Sequence, residues 1–200
     1  MTSMRILFFS DLHQDHNAIT HIEERLKQVD CAFGLGDFAT FGKGLGYALE
    51  QLDVGTDIYL LPGNHDDAEE LKHICAESAQ FHFFHGKQIT LREINFAGLG
   101  GGMPGLPFAV TEEKARLILG RFYHLQNLIL CTHTPPYGTT VDRTWGGNHI
   151  GYRSLRDFVS EVQPLAVYSG HVHEAEGKTD VLKNTKLMVV GKQGHVINID

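Results

Sequence analysis

Short apolar segments alternate with glycine-rich or polar breaks along most of the chain. Segments of this length, bounded in this way, are typical of buried β-strands. Between several of them lie stretches whose apolar residues recur about every three to four positions, which is the spacing of one helix face. The predicted strands are residues 6–9, 31–35, 58–61, 94–99, 128–131 and 165–168, and the predicted helices are residues 18–28, 112–122 and 154–162.

Strand-like segments dominate the chain after residue 80, and few helical stretches accompany them. The additional predicted strands are residues 81–84, 87–91, 186–190 and 196–199. A first part that alternates strands with helices, followed by a strand-rich part, favours two stacked sheets with helices on their outer faces. The predicted fold class is therefore α/β, in the form of an α/β sandwich.

The length and composition favour one domain that comprises residues 1–200. A chain of 200 residues with 42% hydrophobic content can bury a single sizeable core. No apolar run approaches the roughly 20 residues that a membrane span requires. The apolar run within residues 1–10 is too short for the core of a signal peptide. The three cysteines, Cys31, Cys75 and Cys131, lack a CxxC spacing. We therefore expect a cytoplasmic protein without a membrane association.

Charge and histidine content narrow the classes of partner. The chain has 17 basic and 24 acidic side chains, which gives a formal net charge of -7. Such an excess repels nucleic acid, so no long nucleic acid partner is expected. Bound divalent cations would offset part of the excess, and the 13 histidines offer the commonest metal-binding side chain. Composition therefore favours metal chemistry.

Side chains that commonly bind metals follow five of the predicted strands at the point where each strand ends. In α/β folds the carboxyl ends of strands converge on one crevice, so these side chains are predicted to share one site. The candidates are Asp11 and His13 after the first strand, Asp37 after the second, Asn64 and His65 after the third, His133 after residues 128–131, and His171 and His173 after residues 165–168.

Apart from His65, these candidates supply two carboxylates, one carboxamide and four imidazoles. Mixed oxygen and nitrogen donors suit transition metals rather than calcium. A single ion needs about four to six ligands including water, so seven protein donors predict two ions with one shared carboxylate. We expect two divalent transition-metal ions, with manganese as the first expectation and iron, zinc, cobalt or nickel as alternatives.

The same residues form an ordered series of short motifs. The chain reads Asp11-Leu12-His13, Gly36-Asp37, Gly63-Asn64-His65-Asp66, His133, and Gly170-His171-Val172-His173, in that order. This series resembles the calcineurin-like metallophosphoesterase family, whose motifs are D-x-H, G-D, G-N-H-[DE], a single H, and G-H-x-H. The resemblance covers residues 5–173, and the motifs together are far more specific than any one of them alone.

The resemblance implies a four-layer α/β/β/α sandwich of two mixed sheets flanked by helices. It also implies a phosphoric ester hydrolase in which a hydroxide that bridges two ions attacks the phosphorus in line. The implied ligands of one ion are Asp11, His13, Asp37 and His173, and those of the other ion are the bridging Asp37 with Asn64, His133 and His171.

Two stretches, residues 132–138 and 170–174, further resemble a small subgroup that includes metallophosphoesterase-domain proteins and class III cyclic-nucleotide phosphodiesterases. The chain departs from the family pattern at Thr132, where a second glycine is common, and at residues 38–40, where an Asn or Asp is common. We expect these departures to change the surroundings of the ligands rather than the ligands themselves.

His65 and Asp66 are the candidate catalytic residues. An imidazole with an ordinary pKa near 6.5 can give a proton to the leaving alkoxide close to neutral pH, and this is the predicted role of His65. The alternative role is a hydrogen-bond donor that orients the phosphate. Asp66 either supports the charged form of His65 or caps a helix that starts near Ala68.

A long glycine-rich segment, residues 137–152, holds the only tryptophan. Long irregular segments in compact domains are often functional, so this one is predicted to form the substrate wall. Arg143 or Arg153 would meet the phosphate, Trp145 would stack on a base, and His149 lies beside them. The alternative is an ordered surface loop. A second glycine-rich run, residues 98–107, is predicted to be a mobile loop near the mouth of the site.

The leading prediction of function is hydrolysis of a small phosphodiester, with a cyclic nucleotide as one candidate substrate. Hydrolysis of a phosphomonoester is the alternative, because both reactions use the same pair of metals. A rival from a different class is a non-enzymatic protein-interaction module on the same fold. The presence of His65 and of every candidate ligand disfavours that rival. The sequence makes no prediction of the oligomeric state.

Overall fold

The structure is a computed structural model that describes residues 3–102 and 107–200. Within the predicted mobile run at 98–107, residues 103–106 lie outside the described residues. The described ranges contain 11 β-strands and five α-helices. In chain order these are β1 (Met4–Phe9), α1 (His16–Leu26), β2 (Cys31–Gly34), α2 (Leu45–Glu50), β3 (Asp57–Leu60), α3 (Ala68–Glu77), β4 (Phe81–Phe83), β5 (Gln88–Leu91), β6 (Ile94–Leu99), α4 (Glu112–Gly120), β7 (Leu128–Thr132), α5 (Arg153–Val162), β8 (Ala166–Ser169), β9 (Thr179–Leu182), β10 (Thr185–Val189) and β11 (His195–Ile199).

The first sheet contains strands from both ends of the chain, in the order β11-β1-β2-β3-β4. Strands β1 to β4 run parallel, while β11 pairs antiparallel with β1 and places Ile199 opposite Met4. Helices α1, α2 and α3 cover the outer face. Leu7 and Phe9 of β1 lie there in one apolar cluster with Ile19, Ile22 and Leu71.

The second sheet has the order β5-β6-β7-β8-β10-β9. Its four inner strands run parallel, and the edge strands β5 and β9 pair antiparallel with their neighbours. Helices α4 and α5 cover its outer face, where Leu119 and Phe158 share an apolar cluster with Leu130 and Val167 of the strands.

Aromatic side chains fill the space between the two sheets. The Phe33 ring on β2 lies 5.3 Å from the ring of Phe8 on β1 and 4.9 Å from the ring of Phe96 on β6, measured between centroids. Phe33 therefore packs against both sheets, and all three rings are fully buried. Two mixed sheets with helices on the outer faces confirm the predicted α/β/β/α sandwich.

The structure differs from the predicted elements mainly where apolar periodicity is weak. Strand β9 was not predicted because its residues alternate between exposed and half-buried positions at a sheet edge. Helix α2 was not predicted because it has six residues, of which one is Gly46, a poor helix former. Helix α1 begins at His16 rather than at residue 18, since the Asp15 side chain accepts hydrogen bonds from the N–H groups of Asn17 and Ala18 and caps it there.

Two expectations from composition concern the cysteines and the membrane. All three cysteines are buried free thiols. Among the described residues, no helix has both the length and the apolar character that crossing a membrane requires.

Replacing Phe33 by alanine should destabilise the protein strongly, because the cavity would open between the two sheets where neighbouring rings cannot close it. The expected loss in the free energy of unfolding is about 3–5 kcal/mol, measured by urea titration. Val181 is 63% exposed on β9, so Val181→Ala should cost about 0.5 kcal/mol or less. Equal effects of the two substitutions would contradict this view of the core.

Candidate metal centre

The loops that follow β1, β2 and β3 of the first sheet and β7 and β8 of the second sheet meet at one end of the sandwich. They bring six of the seven predicted metal ligands into two clusters of donor atoms, each within 4.8 Å. Asp37 belongs to both clusters. This is the division that the family resemblance implies, and the ligand role itself stays a prediction. The first cluster is Asp11, His13, Asp37 and His173, and the second contains Asp37, His133 and His171.

The donor spacing in the first cluster fits one transition-metal ion. His13 Nε2 lies 3.1 Å from His173 Nε2 and 3.6 Å from Asp37 Oδ2. His173 Nε2 lies 3.6 Å from Asp11 Oδ1. An ion about 2.1 Å from each donor would hold pairs of donors roughly 3.0–4.2 Å apart.

The second cluster has similar spacing, and Asn64 lies beside it. His133 Nε2 lies 3.4 Å from Asp37 Oδ2 and 3.0 Å from Asn64 Oδ1. The ring of His171 lies 5.1 Å from the ring of His133 between centroids. Asp37, Asn64 and His133 are almost fully buried, so this cluster is the less accessible of the two.

Backbone carbonyl groups fix the orientation of two of the imidazoles. His13 Nδ1 lies 3.1 Å from the Ala39 carbonyl oxygen, and His133 Nδ1 lies 2.8 Å from the Leu35 carbonyl oxygen. A carbonyl oxygen only accepts, so each Nδ1 carries a hydrogen, and in the neutral imidazole the lone pair is on Nε2, which faces the cluster. Histidines that bind metals are commonly oriented in this way.

Several of the predicted ligands sit in strained backbone conformations. Asp11, His13, Asp37 and His171 have φ values of 58°, 43°, 57° and 68°. The left-handed region is uncommon for residues other than glycine and costs about 1 kcal/mol or more at each position. These sharp turns directly follow the strands and place the side chains in the shared site. Strain of this kind is concentrated where function requires a fixed geometry.

Two motif glycines leave room for the carboxylates. A Cβ at Gly170 would lie 2.6 Å from Asp11 Oδ2, and a Cβ at Gly63 would overlap the Asp37 carboxylate. Any side chain at either position would displace a predicted ligand. The role of these glycines is therefore close packing.

The electrostatics of the second cluster favour a cation. Burial favours a raised pKa for the Asp37 carboxyl, but the charge of His133 and hydrogen bonds from His133 and the His65 N–H hold that pKa well below its usual range. Burial opposes protonation of His133, yet the charge of Asp37 raises its pKa to about 9. Burial and the charge of His133 lower the pKa of His171 to about 4. A bound divalent cation would replace the proton on His133 and balance the same carboxylate.

Asp66 has a different role from those predicted. Its carboxylate is fully buried and accepts hydrogen bonds from the backbone N–H groups of Asp37 and Gly63, both at 2.7 Å, and of Ala39 at 2.8 Å. The prediction that it caps a helix near Ala68 was wrong, because the cap of α3 is Asp67. Asp66 instead joins the loop after β2 to the loop after β3. Its predicted support of His65 stays a prediction.

Two opposing effects act on the ionisation of Asp66, and the effect that raises its pKa is the larger. Burial and the nearby charge of Asp37 raise the pKa of Asp66 to about 7. The three N–H donors act in the opposite sense, since they need acceptors on both carboxylate oxygens.

His65 lies at the edge of the first cluster, with its ring centroid 5.0 Å from that of His13. The backbone N–H of Phe41 donates to His65 Nδ1 at 3.2 Å. That nitrogen must then be the acceptor, so neutral His65 carries its hydrogen on Nε2. This position suits a hydrogen-bond donor to an oxygen of a phosphate ester, and the transfer of a proton to the leaving group stays a prediction.

Residues 137–152 are organised around the buried carboxylate of Asp142. It accepts hydrogen bonds from the N–H groups of Gly138, Thr139 and Gly151, and it lies 2.7 Å from His149 Nδ1. The contact that the structure shows for His149 therefore stabilises the loop.

The other predicted substrate residues lie outside the two clusters. The Arg153 guanidinium lies 3.7 Å above the Tyr137 ring, and the backbone of Arg143 pairs with that of His149 in an isolated antiparallel β-bridge. Trp145 is 88% exposed, and its backbone N–H donates to Glu174 Oε1 at 3.4 Å. Glu174 directly follows His173. The loop therefore borders the first cluster, and the substrate roles stay predictions.

Some residues that shape the site were not predicted. Ser10 Oγ donates to Asp11 Oδ2 at 2.5 Å, and Phe41 contacts His65. Ser10 directly precedes a ligand at a strand end, which was a usable signal. Phe41 stands between threonine and glycine without periodic apolar neighbours, so the sequence offered no signal for it.

At the departures from the family pattern, the Ala39 carbonyl holds His13, and Thr132 Oγ1 is buried without a hydrogen-bond partner in the described part of the chain.

Comparisons with known proteins confirm the family resemblance. A family model described as calcineurin-like phosphoesterase matches residues 4–175. The probable glycerophosphodiester phosphodiesterase GpdQ of Arcobacter nitrofigilis is 26% identical over an alignment of 203 positions. The alignment covers 95% of this chain and 73% of that protein.

Solved structures share the fold at lower sequence identity. The protein TT1561 of Thermus thermophilus has a TM-score of 0.73 at 18% identity, with coverage of 98% of this chain and 99% of that chain. A dimetal phosphatase from Danio rerio has a TM-score of 0.61 at 12% identity, with coverage of 92% and 86%. At these identities the comparison establishes the fold alone.

Replacing Asp66 by asparagine should weaken metal binding, although Asp66 belongs to neither cluster. An amide offers a single acceptor oxygen, so one of the three N–H groups loses its partner and Asp37 shifts. We expect manganese affinity to fall about 10- to 100-fold, measured by titration calorimetry. The neighbouring Asp67→Asn is the matched control, because asparagine caps a helix as well as aspartate does. Equal affinities for the two variants would show that the network does not position Asp37.

Proposed function

Because this chain belongs to the calcineurin-like phosphoesterase family, we propose that it is a hydrolase of small phosphodiesters that uses two divalent transition-metal ions. One observation carries the proposal: Asp37 is shared by two donor clusters whose spacing suits one ion each. Manganese is the first candidate metal. The substrate is a small phosphate ester, of which a cyclic nucleotide is one candidate.

The residues of the centre fit such a pair of ions. His13 and His133 present Nε2 lone pairs in their neutral forms. The backbone N–H of His171 donates to the Asp11 carboxylate, and the backbone N–H of His65 donates to the Asp37 carboxylate. When bound, two such ions would lower the pKa of a water and neutralise charge on the phosphate. The protein contributes a rigid set of donors whose orientation is fixed before any ligand arrives.

His65 is proposed to act on the substrate through Nε2. Its Nδ1 is occupied by the Phe41 N–H, and its peptide N–H donates to Asp37 Oδ1 at 2.8 Å. The first bond orients the ring, and the second fixes the backbone of His65 relative to the shared ligand. The Nε2–H group can donate to the leaving oxygen as the ester bond breaks, which stabilises the charge that develops there.

The surroundings of the first cluster favour a diester over a monoester. A cavity of about 260 Å³ adjoins it, and its lining includes three carboxylates (Asp11, Asp15 and Glu176), two imidazoles (His13 and His173) and one ammonium group (Lys192). The Lys192 ammonium already lies 2.8 Å from Asp15. A diester carries one negative charge, whereas a monoester carries up to two. An acidic cavity therefore repels a diester less than a monoester. The relative named as a probable glycerophosphodiester phosphodiesterase also supports the diester.

Activity against model substrates tests the proposal directly. We expect the manganese-loaded protein to hydrolyse bis-p-nitrophenyl phosphate with a higher kcat/KM than p-nitrophenyl phosphate. Metal removal should abolish this activity, and Asp37→Ala should lower it about a thousandfold or more because both clusters lose a donor. Asp157 is exposed on α5, and Asp157→Ala should retain full activity.

Three other outcomes would contradict the proposal in different ways. A preference for the monoester would identify a phosphatase. Turnover of the diester by Asp37→Ala would place the reaction elsewhere. A protein that binds manganese but hydrolyses neither ester would favour the binding-module function.

The role of His65 predicts a dependence on the leaving group. Nitrophenolate leaves readily without a proton, whereas phenolate needs more stabilisation. His65→Ala should therefore reduce kcat on diphenyl phosphate about 100-fold or more, with a clearly smaller loss on bis-p-nitrophenyl phosphate. Equal losses on both substrates would indicate that His65 orients the phosphate instead. His16, which is exposed at the start of α1, provides the control substitution His16→Ala.

A further inference from the structure

A tight turn formed by residues 40–43 lies against His65. We call it the 40–43 turn. Thr40 and Lys43 close it with two backbone hydrogen bonds of 3.2 and 3.1 Å. The turn follows Asp37 by only a few residues, and it belongs to the same loop that supplies the shared ligand. The turn therefore lies at the edge of the first cluster, where the His65 ring contacts the His13 ring.

The turn is attached to His65 by backbone groups. The Phe41 N–H donates to His65 Nδ1, and the Gly42 N–H donates to the His65 carbonyl oxygen at 2.7 Å. These two bonds do not involve the Phe41 side chain, so they persist when that side chain is replaced. The Phe41 ring lies 4.6 Å from the His65 ring between centroids, at an interplanar angle of 74°.

Phe41 combines an exposed apolar side chain with a strained backbone. It is 63% exposed, and its backbone has a φ of 49°, in the region that side-chain-bearing residues usually avoid. An exposed aromatic ring adds nothing to the core, and the backbone strain has to be offset elsewhere. Strain together with an exposed apolar group beside a reactive side chain points to a role in binding.

We propose that Phe41 is a substrate-binding residue whose ring packs against a planar, apolar leaving group of the phosphodiester. The substrate class is then an ester of a phenol or of a nucleoside rather than of a small hydrophilic alcohol. The inference rests on the proposed function. It deepens that function by assigning a residue that recognises the leaving group.

The geometry connects this role to that of His65. A leaving oxygen that accepts from His65 Nε2 lies roughly 3 Å from that atom. The His65 ring contacts the Phe41 ring, so the atoms that follow the leaving oxygen come within reach of Phe41. Aromatic rings in such contact prefer offset or edge-to-face arrangements, and both are open to a ring with an exposed face.

Two inert phosphonates separate the contact from the chemistry. Phenylphosphonate and methylphosphonate share the phosphonate group that binds a metal centre. The first carries a phenyl ring on phosphorus, and the second carries a methyl group. For the manganese-loaded protein we expect titration calorimetry to give roughly tenfold tighter binding of phenylphosphonate. Phe41→Ala should reduce this preference to about twofold or less, and Phe41→Leu should give an intermediate value because leucine is apolar but not planar.

Matched variants identify other origins of a preference. Tyr47 is an exposed aromatic residue on α2, so Tyr47→Ala should leave the preference unchanged. A preference that survives Phe41→Ala and disappears in Trp145→Ala would assign the contact to residues 137–152 and overturn the inference. A loss of kcat in Phe41→Ala that is equal for all esters, with an unchanged phosphonate preference, would reduce Phe41 to a positioning residue for His65.

Failure of the inference and failure of the proposed function give different results. If wild type binds both phosphonates equally and hydrolyses diesters, the role of Phe41 is wrong and the function stands. If the manganese-loaded wild type binds neither phosphonate and hydrolyses no ester, the proposed function fails, and the inference fails with it.

Discussion

The buried carboxylate of Asp66 is the constraint on which the candidate centre depends. It accepts hydrogen bonds from the N–H groups of Asp37, Ala39 and Gly63, which belong to two different loops. Through this one group, the shared donor Asp37 and the carbonyl that orients His13 are fixed relative to the loop of Asn64. Asp66 thereby holds Asp37 in its strained conformation, since the chain on either side of Asp37 cannot relax without breaking these bonds.

A second connection joins the two sheets. Asp11 follows a strand of the first sheet, and its carboxylate accepts the N–H of His171, which follows a strand of the second sheet. Each cluster contains donors from both sheets, so neither cluster can form from one sheet alone. The position of the donors therefore depends on the aromatic packing between the sheets, where Phe33 contacts Phe8 and Phe96. Core packing and the geometry of the site are in this sense one property.

The sequence predicted the features that depend on residue type and order. The apolar runs predicted most of the strands and, together with the helical stretches, two stacked sheets. Ligand-type side chains directly after these runs predicted one shared site, because the carboxyl ends of parallel strands converge. The division of the donors into two groups was implied by the family resemblance. Features that depend on three-dimensional contacts could not be predicted in the same way. The bonds of Asp66 reach back 27 and 29 positions along the chain, and Asp66 and Asp67 are equivalent by residue type. Only the fold shows which of the two caps the helix.

The exposure of Phe41 is consistent with the same reasoning about strain. Asp11, His13, Asp37 and His171 are strained, and each belongs to a donor cluster. Phe41 shares their left-handed backbone but has no donor atom in its side chain. A turn that only needed to support His65 could do so with its two N–H groups and a glycine in place of Phe41, which would remove the strain. The aromatic ring therefore requires an explanation of its own. The nearest chemistry that it can serve is the leaving group whose oxygen is proposed to accept from His65.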